Sequence, residues 1–205
     1  MIFHICNQTV STGRVIGHIR VIEFQKRGLP HAHLLLILHP DDKPRTVEDY
    51  DSIVSAQIPD PDLFPTTHDC ISSRMMHGPC GPNHPRAPCM ENGVCSKGYP
   101  KAFVEQTHSE QSGYPVYKRP NNGVTVTTAN NVQLDNRWVV PHNIYLATKY
   151  NAHINVEICT TIHVIKYLYK YVYKGHDRAR NSVKNAEHAT ANALINEINI
   201  LLDAR

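Results

Sequence analysis

Apolar and polar residues alternate along parts of this chain with a period of two, and that period predicts strands. It runs through residues 15–24 and 31–38, and the first of these segments is rich in β-branched residues. Gly28 and Pro30 lie between them and are typical of a turn. We therefore expect these two strands to form a hairpin.

A helical period replaces this alternation in residues 161–174, which contain no Gly or Pro and end just before Gly175. One face of the predicted helix is an apolar stripe, formed by Ile165, Leu168, Tyr169 and Val172. The opposite face carries two tyrosines, each followed three residues later by a lysine, namely Tyr167, Tyr171, Lys170 and Lys174. Side chains four residues apart lie about 5–6 Å from each other on a helix, so both hydroxyls can reach one phosphate.

The other predicted elements are shorter or less regular. Residues 41–135 form an irregular part rich in Pro, Asp and Cys, with one helix over 46–55. Asn121, Asn122 and Gly123 predict a hairpin turn between strands at 114–117 and 124–127. Downstream, we expect a strand and a final helix, over 153–158 and 186–203.

Composition limits the class of protein. The 205 residues suffice for one sizeable domain, and 21 basic against 18 acidic residues leave only a small positive charge. No apolar run is long enough to span a membrane, and the N-terminus does not resemble a secretory signal. We expect a single α/β (α+β) domain over 1–205, inside the cell and without a membrane partner.

The histidines of the second strand form a candidate metal site. Alternation places His31 and His33 on the same face, and a hairpin brings Glu23 alongside them. Two imidazoles and one carboxylate hold a divalent ion while leaving positions open for water or phosphate. His153, Asn155 and Glu157 alternate in the same way and are reserve candidates for the third ligand in place of Glu23.

The six cysteines indicate thiols or metal ligands, since no secretory signal accompanies them. A candidate zinc site combines one histidine with three cysteines of a Pro/Gly-rich loop, namely His77, Cys80, Cys89 and Cys95. His68 and Cys70 are alternative ligands. Cys6 and Cys159 are expected to be ordinary buried thiols.

Two of these segments resemble motifs of one known family. Residues 23–33, with His31-Ala32-His33, resemble the HUH (His-hydrophobe-His) motif of the Rep nuclease in Helitron rolling-circle transposases. Residues 166–177 are similar to that family's two-tyrosine motif. Further Helitron-like segments lie between them in the same order, at 77–81, 95–101, 136–141 and 153–157.

The resemblance implies an antiparallel sheet that carries the HUH metal site, with packed helices and the Cys/His-rich part as an irregular insertion. It implies a Mg²⁺- or Mn²⁺-dependent endonuclease and strand transferase that cuts single-stranded DNA through a 5′-phosphotyrosine. The catalytic residues would be Tyr167 and Tyr171, assisted by Lys170 and Lys174. The transposable-element role implies a nuclear location and a helicase domain in the parent protein.

The chain also departs from the family. It has no phosphate-binding loop of the Gly-x-x-x-x-Gly-Lys-Ser/Thr type, so the helicase is not expected within it. Little sequence precedes the first strand and no closing signal follows the last helix, so we expect a domain truncated at both ends. The alternatives are an inactive remnant that still binds single-stranded DNA, and a structural zinc-binding interaction module.

Overall fold

The structure is a computed structural model that describes residues 13–24, 30–110 and 115–159. It confirms a mixed α/β fold with small two-stranded sheets. Contacts divide the described residues into two compact units. Unit 1 comprises residues 17–24 and 30–37, and unit 2 comprises residues 13–16, 38–110 and 115–159.

Unit 1 is built on the predicted hairpin. Strand β1 spans Val15–Phe24 and strand β2 spans Pro30–Leu38, and the two strands pair. Both predicted strands are therefore confirmed, with β2 beginning one residue early. Only five residues, 25–29, connect them, which requires antiparallel pairing because a parallel crossover needs a dozen or more.

Unit 2 begins with a short ordered loop and a capped helix. Arg14 Nε donates to Asp42 Oδ2 at 2.8 Å, and this bond lowers the pKa of Asp42 to about 2. Helix α1 spans Val47–Ile53, within the predicted 46–55. Thr46 and Asp49 form a capping box, in which each side chain accepts from the other's backbone N–H.

Replacing Thr46 by Ala should lower the free energy of unfolding by about 1 kcal/mol, because the Asp49 N–H then loses its acceptor. Urea denaturation measures this change. Thr66→Ala is the matched control, since Thr66 is exposed within the second helix and caps nothing, and it should shift stability by less than about 0.5 kcal/mol. Equal losses in both variants would contradict a capping role.

Two further helices pack together in unit 2, and the sequence patterns above did not predict them. Helix α2 spans Pro65–Arg74 and helix α3 spans Ile144–Tyr150, with Asn143 as its N-cap. Asn143 also donates to Ile53 O at 2.8 Å, which ties α3 to the end of α1. A first apolar core lies beside α2 and α3 and consists of Ile58, Cys70, Ile71, Met75, Val139, Val140 and Ala147. A second consists of Tyr50, Val54, Ala56, Tyr117 and Ile158.

Three antiparallel pairs of two-residue strands complete unit 2. They are β3 with β4 (Met90–Glu91, Val94–Cys95), β5 with β6 (His108–Ser109, Pro115–Val116) and β7 with β8 (Val126–Thr127, Gln133–Leu134).

The predicted hairpin around residues 121–123 is wrong. Segment 115–116 pairs with 108–109 and segment 126–127 pairs with 133–134, so the two predicted strands do not pair with each other. The reason is the buried Asn136 side chain, which donates to Pro120 O at 2.8 Å and to Asn122 Oδ1 at 3.1 Å. These bonds hold the predicted turn against a distant loop.

The predicted strand over 153–158 is also wrong, since it is reduced to a single bridge between Asn155 and His142. The backbone N–H groups of this segment find scattered partners instead of a neighbouring strand. Val156 donates to Pro141 O at 3.0 Å, and Ile158 donates to the Tyr117 hydroxyl at 2.9 Å. The predicted helices over 161–174 and 186–203 lie outside the described residues. In the described part of the chain, no helix has the length and apolar character to cross a membrane.

Candidate metal centre

One imidazole and three thiols converge in unit 2. Ligand atoms of His77, Cys80, Cys89 and Cys95 all lie within 4.8 Å of one another. His77 Nε2 lies 3.7 Å from Cys80 Sγ and 3.6 Å from Cys95 Sγ. The predicted set of four is therefore brought together and can bind a metal.

The β3–β4 hairpin positions two of the four ligands. Its turn is Asn92-Gly93, with φ values of 51° and 81°. Two consecutive positive φ values are typical of the type I′ turn, which Asn-Gly favours because Gly has no Cβ to clash. The hairpin places Cys89 beside Ser96, whose N–H donates to Cys89 O at 2.8 Å, with Cys95 adjacent. Asn-Gly between two cysteines is the sequence signal for this hairpin, although the sequence predictions did not include it.

The other two ligands are held by the loop that precedes the hairpin. The backbone N–H of His77 donates to Trp138 O at 2.8 Å, and Gly81 N–H contacts Met90 Sδ at 3.2 Å. The imidazole of His77 stacks on the Tyr99 ring, with centroids 4.1 Å apart and planes 10° apart. These contacts fix the orientation of the imidazole toward the thiols.

Two of the distances within the group match those of a tetrahedral zinc site. Zn–S and Zn–N bonds of about 2.3 and 2.05 Å at tetrahedral angles separate sulfur from nitrogen by about 3.6 Å. The observed separations between His77 and two of the cysteines are 3.6 and 3.7 Å. Thiolate and imidazole are the ligands that structural zinc sites use, whereas Mg²⁺ prefers oxygen.

The pKa values of the ligands are shifted in different directions. Burial alone would raise the pKa of Cys95, but backbone N–H groups of Tyr99 and Lys97 bond to its sulfur and lower the pKa below its usual value. Burial and the neighbouring Cys89 and Cys95 raise the pKa of Cys80 to about 12. Burial, assisted by the charges of Lys101 and Lys97, lowers the pKa of His77 and so favours the neutral imidazole that binds metal. A metal that displaces the thiol protons would complete the site.

The loop that carries the group has almost no apolar core. Between residues 76 and 101, Cys80 is the one buried residue. A segment of this length without buried apolar side chains cannot offset its conformational entropy by burial. Metal coordination by the four ligands would supply stability that burial does not.

The alternative ligands do not join the group. Cys70 is buried in the first core, where its Sγ contacts Ala147 O at 3.1 Å. His68 lies beside Ser72 and Asp69. Cys159 is exposed, so the expectation that it is a buried thiol was wrong, and Cys6 lies outside the described residues.

Unit 1 carries the paired histidines. His33 Nε2 lies 3.5 Å from Glu23 Oε2 across the hairpin, and the His31 and His33 ring centroids are 4.7 Å apart. Binding of Mg²⁺ or Mn²⁺ by His31, His33 and Glu23 stays a prediction. Tyr167, Tyr171, Lys170 and Lys174 lie outside the described residues.

Glu157 and Tyr117, in unit 2, belong to a polar network that sequence reasoning did not find. The Glu157 carboxylate is hydrogen-bonded by Tyr117 and Asn155, near the charges of Arg119 and Lys101. Although part of Glu157 is exposed, the surrounding protein limits hydration of its carboxylate and raises the pKa of Glu157 to about 7. Arg119 donates to Asn136 O and Val139 O, each at 2.7 Å. The other reserve ligand, His153, is close to Arg74 O at 2.7 Å.

Glu157→Gln should reduce the pH dependence of stability. Because the pKa of Glu157 is raised from 4.5 to about 7, the folded state keeps a proton that the unfolded state releases. The stability this gives is complete below about pH 4.5 and is lost as pH rises through about 7. The variant should therefore gain stability relative to the wild type between about pH 5 and pH 8, as measured by urea denaturation.

The matched control is Glu48→Gln, at an exposed carboxylate in the first turn of α1. It should keep the same pH dependence as the wild type between these two values. Parallel curves for the wild type and Glu157→Gln would show that Glu157 holds no extra proton in the folded state.

No protein-family model and no curated protein matches this chain. Function must therefore be argued from the residues themselves. The described residues contain one four-ligand group suited to a tightly held metal, and separately a His/His/Glu group on a hairpin.

Proposed function

We propose that the chain is a metal-dependent endonuclease and strand transferase for single-stranded DNA, of the HUH type that its motifs resemble. The observation that supports this proposal is the arrangement on the β1–β2 hairpin. A carboxylate oxygen of Glu23 lies 3.5 Å from His33 Nε2, and the ring of His31 lies next to that of His33. Two imidazoles and a carboxylate on adjacent strands suit a divalent ion with open positions.

In this proposal His31, His33 and Glu23 hold Mg²⁺ or Mn²⁺. When bound, the ion polarises the scissile phosphate as a Lewis acid. The hairpin supplies the rigid support, because side chains on paired strands keep their spacing.

The nucleophile is assigned from the sequence to Tyr167 or Tyr171. Its hydroxyl oxygen bonds to phosphorus, and the bond from phosphorus to the 3′ oxygen breaks. The products are a 5′-phosphotyrosine on the protein and a DNA end whose 3′ oxygen has taken up a proton. A phenol has a pKa near 10, and Lys170 and Lys174, which follow the two tyrosines by three residues and so lie one turn beyond them on the predicted helix, would favour its ionised form. His163 is the candidate base.

Two tyrosines permit strand transfer as well as cleavage. One tyrosine holds the first DNA end while the other cuts a second strand. The phosphotyrosine linkage conserves the energy of the broken phosphodiester, so a 3′-hydroxyl can attack it and rejoin the strands without ATP.

The test is a covalent adduct. The chain is incubated with 5′- and 3′-labelled single-stranded DNA and Mn²⁺, and the products are separated on a denaturing gel. Label from the 3′ portion of the DNA that migrates with the protein supports the proposal. Binding without any adduct would favour the inactive DNA-binding remnant.

A second candidate function, a zinc-stabilised interaction module, is favoured by the group of His77, Cys80, Cys89 and Cys95. Its four ligands and its tetrahedral spacing are typical of closed, structural zinc sites and not of catalytic ones, which keep a position open. We propose zinc as the metal of this group. The two functions are compatible, because the zinc group would order a loop and the hairpin would carry the chemistry.

A further inference from the structure

The segment that follows the metal hairpin is positively charged. From Asn92 to Val104 the sequence contains no acidic residue and two lysines, Lys97 and Lys101. Lys97 is exposed and Lys101 is half-buried. Neither lysine makes an ion pair to a carboxylate among the described residues.

An aromatic ring lies beside these lysines. Lys101 Nζ lies 5.1 Å from the centroid of Tyr99 and 2.8 Å from Lys97 O. Tyr99 also stacks on the ligand His77, hydrogen-bonds with Arg119 through its side chain, and bonds through its backbone N–H to the sulfur of Cys95. The lysines and the ring are thus held in place by the metal loop itself.

A second aromatic ring lies on the same segment. Phe103 is half-buried, with the guanidinium carbon of Arg137 at 4.6 Å from its centroid. The backbone N–H of Lys101 donates to Arg137 O at 3.0 Å, so the Phe103–Arg137 pair is connected to the Tyr99–Lys101 pair. Arg137 is paired with Asp135 at 2.7 Å. The Glu157 carboxylate lies near Lys101, but Arg119 also lies near that carboxylate and offsets its charge. We therefore count Lys97 and Lys101 as the uncompensated positive charges of this segment.

Charge balance at the metal does not account for both lysines. Three thiolates and a neutral imidazole around one divalent cation give the group a net charge of about −1. The positive charge of one lysine offsets the charge of about −1 on the metal group. The charge of the second lysine makes the surface of this segment positive overall. Cations flanking a partly exposed aromatic ring suit a partner that offers phosphates and bases together.

We propose that Lys97, Tyr99, Lys101 and Phe103, called here the 97–103 face, bind single-stranded nucleic acid. The lysines would contact successive phosphates, and the exposed part of the Phe103 ring would contact a base. Tyr99, which packs between His77 and Lys101, would hold Lys101 in place. This inference rests on the proposed function, for which it names the surface that holds the strand. It assigns the metal group a role in DNA binding through the loop that it orders.

The test measures binding of fluorescein-labelled oligo(dT) to the zinc-loaded chain as salt is varied. All proteins carry Tyr167→Phe and Tyr171→Phe so that cleavage cannot interfere. Each phosphate contact on a single strand makes the slope of log K against log salt concentration more negative by about 0.7. Replacing both Lys97 and Lys101 by Ala should therefore reduce the magnitude of this slope by about 1.4. The control, Lys43→Ala with Lys149→Ala, removes equal charge from unit 2 and should leave the slope unchanged.

Three outcomes would overturn the inference. They are an unchanged slope in the Lys97/Lys101 variant, absence of oligo(dT) binding by the parent protein, and loss of zinc from the variant, which would assign the lysines to the metal. Failure of this inference is distinguishable from failure of the proposed function. If the protein with wild-type tyrosines forms an adduct but the Lys97/Lys101 variant keeps its slope, only the 97–103 face is contradicted. If that variant has a reduced slope but no protein forms an adduct, only the nuclease is contradicted.

Discussion

Replacing Cys95 by Ser is expected to weaken zinc binding about 100-fold, so that the variant loses its zinc to a chelator that leaves the wild type loaded. Structural zinc sites contribute about 10–16 kcal/mol in small peptides, so one of four ligands carries roughly 3 kcal/mol, which is a loss of about 10²-fold in affinity. Cys95 should be the most sensitive of the cysteines, because the N–H groups of Lys97 and Tyr99 already stabilise its thiolate. Zinc content by elemental analysis and the visible spectrum of the Co²⁺-substituted protein measure the loss.

The same substitution should release the loop while the rest of unit 2 stays folded. Of residues 77–101, only the half-buried Tyr99 packs against either apolar core. Trypsin should therefore cut at Arg86, Lys97 and Lys101 much faster in the variant, or after chelation of the wild type. Helix content by circular dichroism should change little.

Cys159→Ser is the matched control, since Cys159 is exposed and does not belong to the metal group. It should retain both the zinc and the resistance to trypsin. A Cys95→Ser protein that keeps full zinc occupancy would contradict the assignment of the ligands.

Replacing both Tyr167 and Tyr171 by Phe is expected to eliminate the covalent DNA adduct, because the predicted polar face of that motif then has no tyrosine hydroxyl to attack phosphorus. Each single change should leave an adduct at the remaining tyrosine. His31→Ala should reduce adduct formation at least about 100-fold, since loss of a ligand costs more than the 10- to 100-fold typical of its supporting contacts. Quantified label on a denaturing gel gives each value.

Two control variants remove a tyrosine hydroxyl and an imidazole at positions outside the proposed site. Tyr145→Phe deletes the hydroxyl of an exposed tyrosine on α3, and His108→Ala removes an exposed imidazole on β5. Both variants should form the adduct at the wild-type level. An adduct that persists in the Tyr167/Tyr171 double variant would place the nucleophile elsewhere.

Together the two experiments separate the alternatives. Loss of the adduct in the double variant, with zinc retained, supports a nuclease that uses zinc only for structure. Salt-sensitive DNA binding without an adduct in any protein supports the remnant. A chain that needs zinc to order its loop, and that neither cuts nor binds DNA, is the interaction module.

Elements that depend on local interactions were predictable from the sequence. The alternation in 15–24 and 31–38 predicted β1 and β2, since each strand needs only its own pattern and a short connection. Thr46 marked the start of α1, because a capping box is complete within four residues. The ligands His77, Cys80, Cys89 and Cys95 were predicted by residue type alone, and the Asn92-Gly93 turn explains locally why two of them meet.

Contacts between distant residues decided the rest. Whether residues 121–123 form a hairpin depended on Asn136, and whether 153–158 form a strand depended on partners as far away as Tyr117. The raised pKa of Glu157 follows from neighbours contributed by separate loops. The sequence by itself determined the local elements and the chemistry of the metal ligands. Only the tertiary structure decided the pairing of the short strands and the 97–103 face, because these depend on long-range packing that no local pattern encodes.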